Sequence, residues 1–182
     1  PSSVTTFEDH IFKGCSSLRE ITIPPSINSI GDGFFRDCSS LVNVSIPSSV
    51  TSIGNSAFRD CSSLAQLTLP SSITSIGICA FRGCSSLVNI ALPASITSIG
   101  KGAFRECSSL IQITIPSSVE LIDDNMFNGC ASLNQIVIPH SVRSIGMKAF
   151  LGCRSLSQIS IPNSVQSYDH IGIGPNVRVN TF

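Results

Sequence analysis

Cysteine is the residue type in this chain most able to do chemistry, and its spacing argues against the usual cysteine sites. Seven of the eight cysteines recur every 23 residues, at Cys15, Cys38, Cys61, Cys84, Cys107, Cys130 and Cys153. Zinc ligands normally come in closely spaced pairs, so this column does not predict a metal site. A disulfide between adjacent units stays an alternative, but we expect buried, reduced thiols that pack as small apolar side chains. Cys79 lies outside the column, and we expect it to be exposed and reactive.

Histidines and acidic residues could supply general acid–base catalysis, but their positions form no catalytic set. His10, His140 and His170 occupy different positions within the 23-residue period. The acidic pair Asp123 and Asp124 has no neighbouring base or metal ligand in sequence. We therefore predict no enzyme activity, no cofactor and no metal site.

One basic residue in each of five units forms a candidate anion-binding stripe. Its members are Lys13, Arg36, Arg59, Arg82 and Arg105. Such a row could bind a polyanion such as a glycosaminoglycan. Acidic residues at Asp37, Asp60 and Glu106 directly follow three of the arginines, which favours a solvated, partly neutralised surface.

These columns belong to a repeat that runs through most of the chain, in which prolines and phenylalanines share the 23-residue period. In the unit that begins at Cys38, Leu41, Val44 and Ile46 follow the spacing of a leucine-rich strand. Pro47 lacks a backbone N–H and ends that strand. A second apolar segment and a glycine follow, at Gly31, Gly54, Gly77, Gly100 and Gly146, where we expect a turn with positive φ.

The six residues between that glycine and the next cysteine are enough for a short helical turn, with Ala57 and Phe58 directed inward. One unit cannot bury its own apolar face, so the units must stack about 4.8 Å apart. The sequence thus predicts an α/β repeat solenoid. It has a parallel sheet on one face, a second short-strand segment, and short helical turns on the other.

The repeat is regular over residues 1–168, which hold seven strand-bearing units, and it decays in residues 169–182. We expect this tail to be a degenerate repeat or cap, with Ile173, Val179 and Phe182 in the phenylalanine, leucine and isoleucine columns. The chain opens inside a repeat, so we expect a fragment of a longer protein. A local irregularity is expected in the fifth unit, which departs from the pattern at Glu120, Leu121, Asp123 and Met126.

Composition excludes several classes of partner. Charged residues make up 12% of the chain, eleven basic and eleven acidic, so the net charge is zero. Nucleic acid is not expected as a partner without a basic field. No apolar run is long enough to span a membrane, and the first residues do not have the pattern of a signal peptide.

The unit L-x-x-I-x-I-P-x-S-V-x-x-I-G-x-x-A-F-x-x-C-S-S, clearest in residues 38–107, resembles the BspA-like leucine-rich repeats. The resemblance implies a right-handed superhelix in a cell-surface or secreted protein that adheres to host proteins, including extracellular matrix. It carries no catalytic residues. An intracellular scaffold is the alternative, because unpaired cysteines suit a reducing compartment.

The polar positions of the first strand are the candidate partner-binding residues. A protein or glycan would contact this repeated face, and the ends of the array could self-associate. The residues are Glu20, Asn43, Gln66, Asn89, Gln112, Gln135 and Gln158, with Thr22, Ser45, Thr68 and Thr114 beside them.

Overall fold

The computed structural model describes residues 7–182, in which thirteen short strands follow one another as the chain winds through stacked units. The first strands of the units are β1 (Glu20–Thr22), β3 (Asn43–Ser45), β5 (Gln66–Thr68), β7 (Asn89–Ala91), β10 (Gln135–Val137), β12 (Gln158–Ile161) and β13 (Arg178–Thr181). The second strands are β2 (Ser29–Ile30), β4 (Ser52–Ile53), β6 (Ser75–Ile76), β8 (Ser98–Ile99), β9 (Leu121–Ile122) and β11 (Ser144–Ile145).

Every strand pair is parallel, as the repeat requires. Glu20 pairs with Asn43, and Gln135 pairs with Gln158, so equivalent residues of successive units lie side by side. Residues 112–114 occupy the first-strand position of the fifth unit, where one bridge joins Gln112 to Asn89. The predicted parallel β-solenoid is therefore confirmed.

The core is a set of apolar columns, one residue per unit. Leu41, Leu64, Leu87, Leu110 and Leu133 are fully buried. The phenylalanine rings stack face to face, with centroids 5.3 Å apart for Phe58 and Phe81 and 5.5 Å apart for Phe81 and Phe104. Each unit thus covers the apolar surface of its neighbour, which makes stability collective.

The expected helical turn is not formed anywhere in the described residues, and consecutive tight turns replace it. In the unit that begins at Cys38, Arg59 N–H donates to Ser56 O within the turn, whereas Phe58 N–H donates to Ala80 O of the next unit. Ser56 and Asp60 adopt positive φ values of 54° and 60°. A helix would need its N–H groups to bond to carbonyls of the same segment, and it would need negative φ at every residue. Because N–H groups such as that of Phe58 bond to the next unit instead, no helix forms.

The reason for the corner glycines also differs from the expectation, because none of the five has positive φ. A Cβ on Gly54 would lie 2.6 Å from the carbonyl carbon of Gly31, and one on Gly77 would lie 2.6 Å from Asn55 N. Glycine is needed there for close approach between neighbouring backbones. Positive φ falls later, in the tight turns, for example at Gly83 with φ 74°.

The irregularity expected in the fifth unit is confirmed. The second strands form one sheet over β2, β4, β6 and β8 and another over β9 and β11, with the break before β9. At the corner, Gly77 N–H and Gly100 N–H donate to Ile53 O and Ile76 O, both at 2.8 Å, whereas no such bond joins Asp123 to Ile99 in the described residues. Asp123 carries the Cβ that the glycine positions have no room for, so the two backbones must lie farther apart at this corner, although Gly102 N–H still donates to Asp124 O at 2.9 Å.

The register predicted for the tail is wrong. Val179 pairs with Ile159 and Arg178 pairs with Gln158, so the last unit is three residues shorter than the period. Ile171 is fully buried and its carbonyl accepts the N–H of Phe150, as Ala149 O accepts that of Phe127, so Ile171 lies at the alanine position, while Ile173 is only partly buried. Within residues 7–182 no helix is long and apolar enough to cross a membrane.

Candidate functional site

The strand face is the outward surface of the first strands, and it holds all the residues predicted to bind a partner. Alternation along each strand creates it: Asn43 and Ser45 are exposed and Val44 between them points inward. The same pattern exposes Glu20, Gln66, Asn89, Gln112, Gln135 and Gln158. We call these six residues together with Asn43 the amide column, although its first member, Glu20, is an acid.

Most of the amide column has unsatisfied hydrogen-bonding groups. In the part of the chain that the structure describes, the one amide–amide bond of this column joins Gln158 Nε2 to Gln135 Oε1 at 3.0 Å. Asn43, Gln66, Asn89 and Gln112 make no side-chain bond to the protein there. Their donors and acceptors are available to a partner.

Apolar side chains run alongside the amide column. Val42, Ala65, Val88 and Ile111 precede its members in sequence, and Ile111 is 43% exposed. Val137, on the other side of the column, is 63% exposed. A surface that combines exposed apolar groups with free amides has the composition of a protein-binding surface.

Shallow grooves cross the strand face where the first strands separate. The groove between β3 and β5 has a floor that includes Val44 and Ile46 and a rim that includes Thr68. The strands on either side form separate sheets, and Val44 and Ile46 are only partly buried, whereas the equivalent Leu67 is 6% exposed. The groove therefore offers apolar contacts at the level of the core.

The basic stripe is largely neutralised. Arg59 lies 3.1 Å from Asp60, and Arg36 lies 3.5 Å from Asp37. Arg82 has no acid after it in sequence, yet it pairs with Glu106 of the next unit at 3.1 Å, and Arg105 pairs with the same carboxylate. Lys13 is the member of the stripe without an ion pair among the described residues. Four of the five basic residues are thus partly buried and paired with carboxylates.

All eight cysteines are free thiols. Six members of the column are buried and Cys15 is exposed. Each buried thiol donates to the phenylalanine carbonyl 26 residues earlier, at 3.1 Å for Cys61 and Phe35. Burial raises the pKa of Cys38 to about 11 and that of Cys153 to about 12. Cys79 is half-buried, so the expectation that it is exposed is only partly met.

The acidic residues at the corners hold neighbouring units together. Asp32 Oδ1 accepts the N–H of Asn55 at 2.6 Å, and Asp124 Oδ1 accepts that of Met147 at 2.8 Å. The hydrogen bond from Lys101 Nζ, 3.1 Å from Asp124 Oδ2, lowers the pKa of Asp124, together with the Met147 N–H. Among residues 7–182 no three metal-ligating side chains converge.

Arg178 is a strand-face residue that sequence reasoning missed. Its pairing with Gln158 places it in the amide column, beyond the last predicted member. The 23-residue period conceals it because the final unit is short. A basic residue followed by the alternating Val179, Asn180 and Thr181 was the available signal.

Comparison with known proteins gives a consistent result. The model of the BspA type leucine rich repeat region matches residues 1–87 and 61–171, in six copies. A leucine-rich repeat protein of T. pallidum is 32% identical over 86% of this chain and 75% of its own, with a TM-score of 0.78. One from Bacteroides ovatus is 27% identical over 98% of this chain and 55% of its own, with a TM-score of 0.76.

A leucine rich cell surface protein of Faecalibacterium prausnitzii is 27% identical over 93% of this chain and 62% of its own, with a TM-score of 0.47. The chain thus spans three quarters of the T. pallidum protein and about half of the B. ovatus protein. No curated protein matches it significantly.

Proposed function

Because the chain belongs to the BspA-type leucine-rich repeat family, whose fold is non-catalytic, we propose that it is a protein-binding module of a cell-surface or secreted protein and that it binds through the strand face. The observation that carries this proposal is the exposed, unsatisfied amide column beside apolar side chains. The stacked units hold these groups one per unit on short parallel sheets, so little conformational entropy is lost when a partner binds them.

The chemistry of the strand face favours a protein over a glycan. Sugar recognition commonly uses stacking on exposed aromatic rings, and none of the outward first-strand positions holds one. Exposed Ile111 and Val137 instead suit the apolar side chains of a protein. A polyanion is less favoured than a protein because four of the five stripe residues already pair with carboxylates.

Adhesion to a host protein such as extracellular matrix is the form of this function that the family suggests. The face carries no charge between residues 42 and 160 at its outward strand positions, so binding should depend little on salt. A glycosaminoglycan held by the basic stripe would instead dissociate as salt rises.

The test is saturable binding of the folded chain to immobilised matrix proteins, glycans and heparin. Gln66→Arg and Gln112→Arg place a bulky charge on the strand face and should weaken binding to a protein partner by at least about tenfold. Ser98→Arg and Ser144→Arg place the same charge on exposed positions of the second strands and should leave it unchanged. Equal losses in both sets, or no saturable protein binding, would contradict the proposal.

A further inference from the structure

Two charges of opposite sign bracket the amide column. Glu20 of β1 is its first member, and Arg178 of β13 lies in register with Gln158 at its other end. The six members between them are uncharged. Both side chains are exposed, and neither forms an ion pair or hydrogen bond in the described chain, so each is available to an external partner.

This arrangement is self-complementary. A two-fold axis parallel to the strands turns one strand face onto another, keeps the strand direction and reverses the order of the units. The amide column then faces the amide column, and its first member faces the last. Glu20 of each copy therefore meets Arg178 of the other, and Gln66 meets Gln135.

We propose that the strand face binds a second copy of this chain in this reversed order, with the register set by the Glu20–Arg178 pairs. The inference rests on the proposed function, because it assigns a partner to the same face. A dimer in which the units of both copies run in the same order would place Glu20 against Glu20 and Arg178 against Arg178, and like-charge repulsion disfavours this arrangement.

The rest of the face supports the same pairing. Amides donate and accept, so Asn and Gln side chains can bond to one another in any order along the column. In this order Val88 of each copy meets Ile111 of the other, which removes Ile111 from water, whereas Val42 and Ala65 meet the polar Ser157 and Asn134. The flanking Arg19 faces the position before Arg178 of the second copy, which is Val177 and carries no charge.

The size of the face points to a weak dimer. Eight strand positions about 4.8 Å apart give a strip roughly 34 Å long and three side chains wide. Contacts of this size are typical of transient complexes. Self-association is thus expected in the micromolar range, where an external protein partner can compete for the face.

Charge reversal tests the pairing directly. Sedimentation equilibrium of the whole chain from about 1 µM to about 500 µM should show a monomer–dimer equilibrium. Glu20→Arg and Arg178→Glu should each weaken the dimer at least about tenfold, because each breaks two pairs, and the double variant should recover to within about threefold. Arg143→Glu, at an exposed position directly before β11, should leave the dimer unchanged.

A second design tests the register without removing a native charge. Gln66→Arg with Gln135→Glu adds two opposite pairs across the proposed axis and should tighten the dimer about tenfold. Gln66→Arg with Gln112→Glu carries the same charges out of register and should not tighten it. Circular dichroism and a urea midpoint for each variant confirm that the folded states compared are equivalent.

The outcomes separate the two proposals. A monomer at every concentration, equal weakening by Arg143→Glu, or no recovery in the double variant would overturn the dimer. Binding to matrix proteins is measured below about 1 µM, where the chain is monomeric. Absence of binding to matrix proteins at these concentrations would contradict the proposed function but would not affect the sedimentation result.

Discussion

At the scale of single residues, the cysteine column shows how the repeat uses a reactive side chain for packing. Cys84 is fully buried, and its Sγ donates to Phe58 O at 3.1 Å, a carbonyl that also accepts the N–H of Cys61. A thiolate at this position would lose its solvation and the hydrogen bond. Burial therefore raises the pKa of Cys84 and suppresses its nucleophilic form.

Alkylation of the native protein at pH 8 should modify Cys15 quickly and Cys79 more slowly, and should leave the six buried thiols intact. The reason is that alkylation needs both access and thiolate, and the buried members have neither. Mass spectrometry with and without urea measures this: all eight cysteines should react once the chain unfolds. Cys79→Ser should remove one native site only. Labelling of Cys84 at the rate of Cys15 would contradict the prediction.

At the scale of elements, the corner after each second strand decides whether neighbouring units pair. Gly100 approaches the preceding unit so closely that a Cβ would lie 2.6 Å from Ile78 N. Asp123 is the equivalent residue of the next unit, and the strand ladder breaks between β8 and β9 in front of it. One Cβ thus accounts for a discontinuity in the sheet.

Asp123→Gly should close the ladder by allowing residue 123 N–H to donate to Ile99 O, as Gly100 N–H does to Ile76 O. The added hydrogen bond contributes about 1 kcal/mol, but the change also removes the bond from Asp124 N–H to Asp123 Oδ1 and adds the entropic cost of a glycine, so the clearer readout is local. Hydrogen exchange at the residue 123 amide should slow markedly, while the urea midpoint should not rise.

Gly100→Ala is the matched reverse change. It adds a Cβ where the backbone of the preceding unit leaves no room, so it should open the ladder between β6 and β8 and lower the free energy of unfolding by about 2 kcal/mol or more. Gly174→Ala, whose Cβ would meet nothing within 4 Å, should leave stability unchanged. Unaltered exchange at both corners would show that the Cβ does not control pairing.

At the scale of the whole molecule, the sequence predicts whatever the 23-residue period encodes. The strands, their parallel register and the outward amides follow from alternation and spacing, for example at Asn43, Val44 and Ser45. The turns do not follow, because whether Phe58 N–H bonds within its unit or to Ala80 O depends on the distance between units. The position of Arg178 in the amide column was not predicted for a related reason. The last unit is shorter than the others, so the 23-residue period no longer locates its residues.

Excision of a whole unit tests how the array divides its stability. Removing residues 61–83 joins Asp60 to Cys84 and preserves the repeat. The shortened chain should therefore fold and give the same circular dichroism spectrum per residue as the full chain. The urea m-value should fall by about one eighth, in proportion to the surface buried. Removing residues 61–71 instead breaks the register and should abolish cooperative unfolding.

Removal of the irregular unit, residues 107–129, should lower the free energy of unfolding less than removal of residues 61–83. The excision places Gly146 where Asp123 lies, so a corner glycine again meets Ile99 and the second strands can form one continuous sheet. In a nearest-neighbour array, deleting a unit with a weak interface leaves interfaces that are, on average, more stabilising. Urea unfolding of the two variants should give the higher midpoint for the chain without residues 107–129, and the opposite order would show that the broken ladder does not weaken the stack.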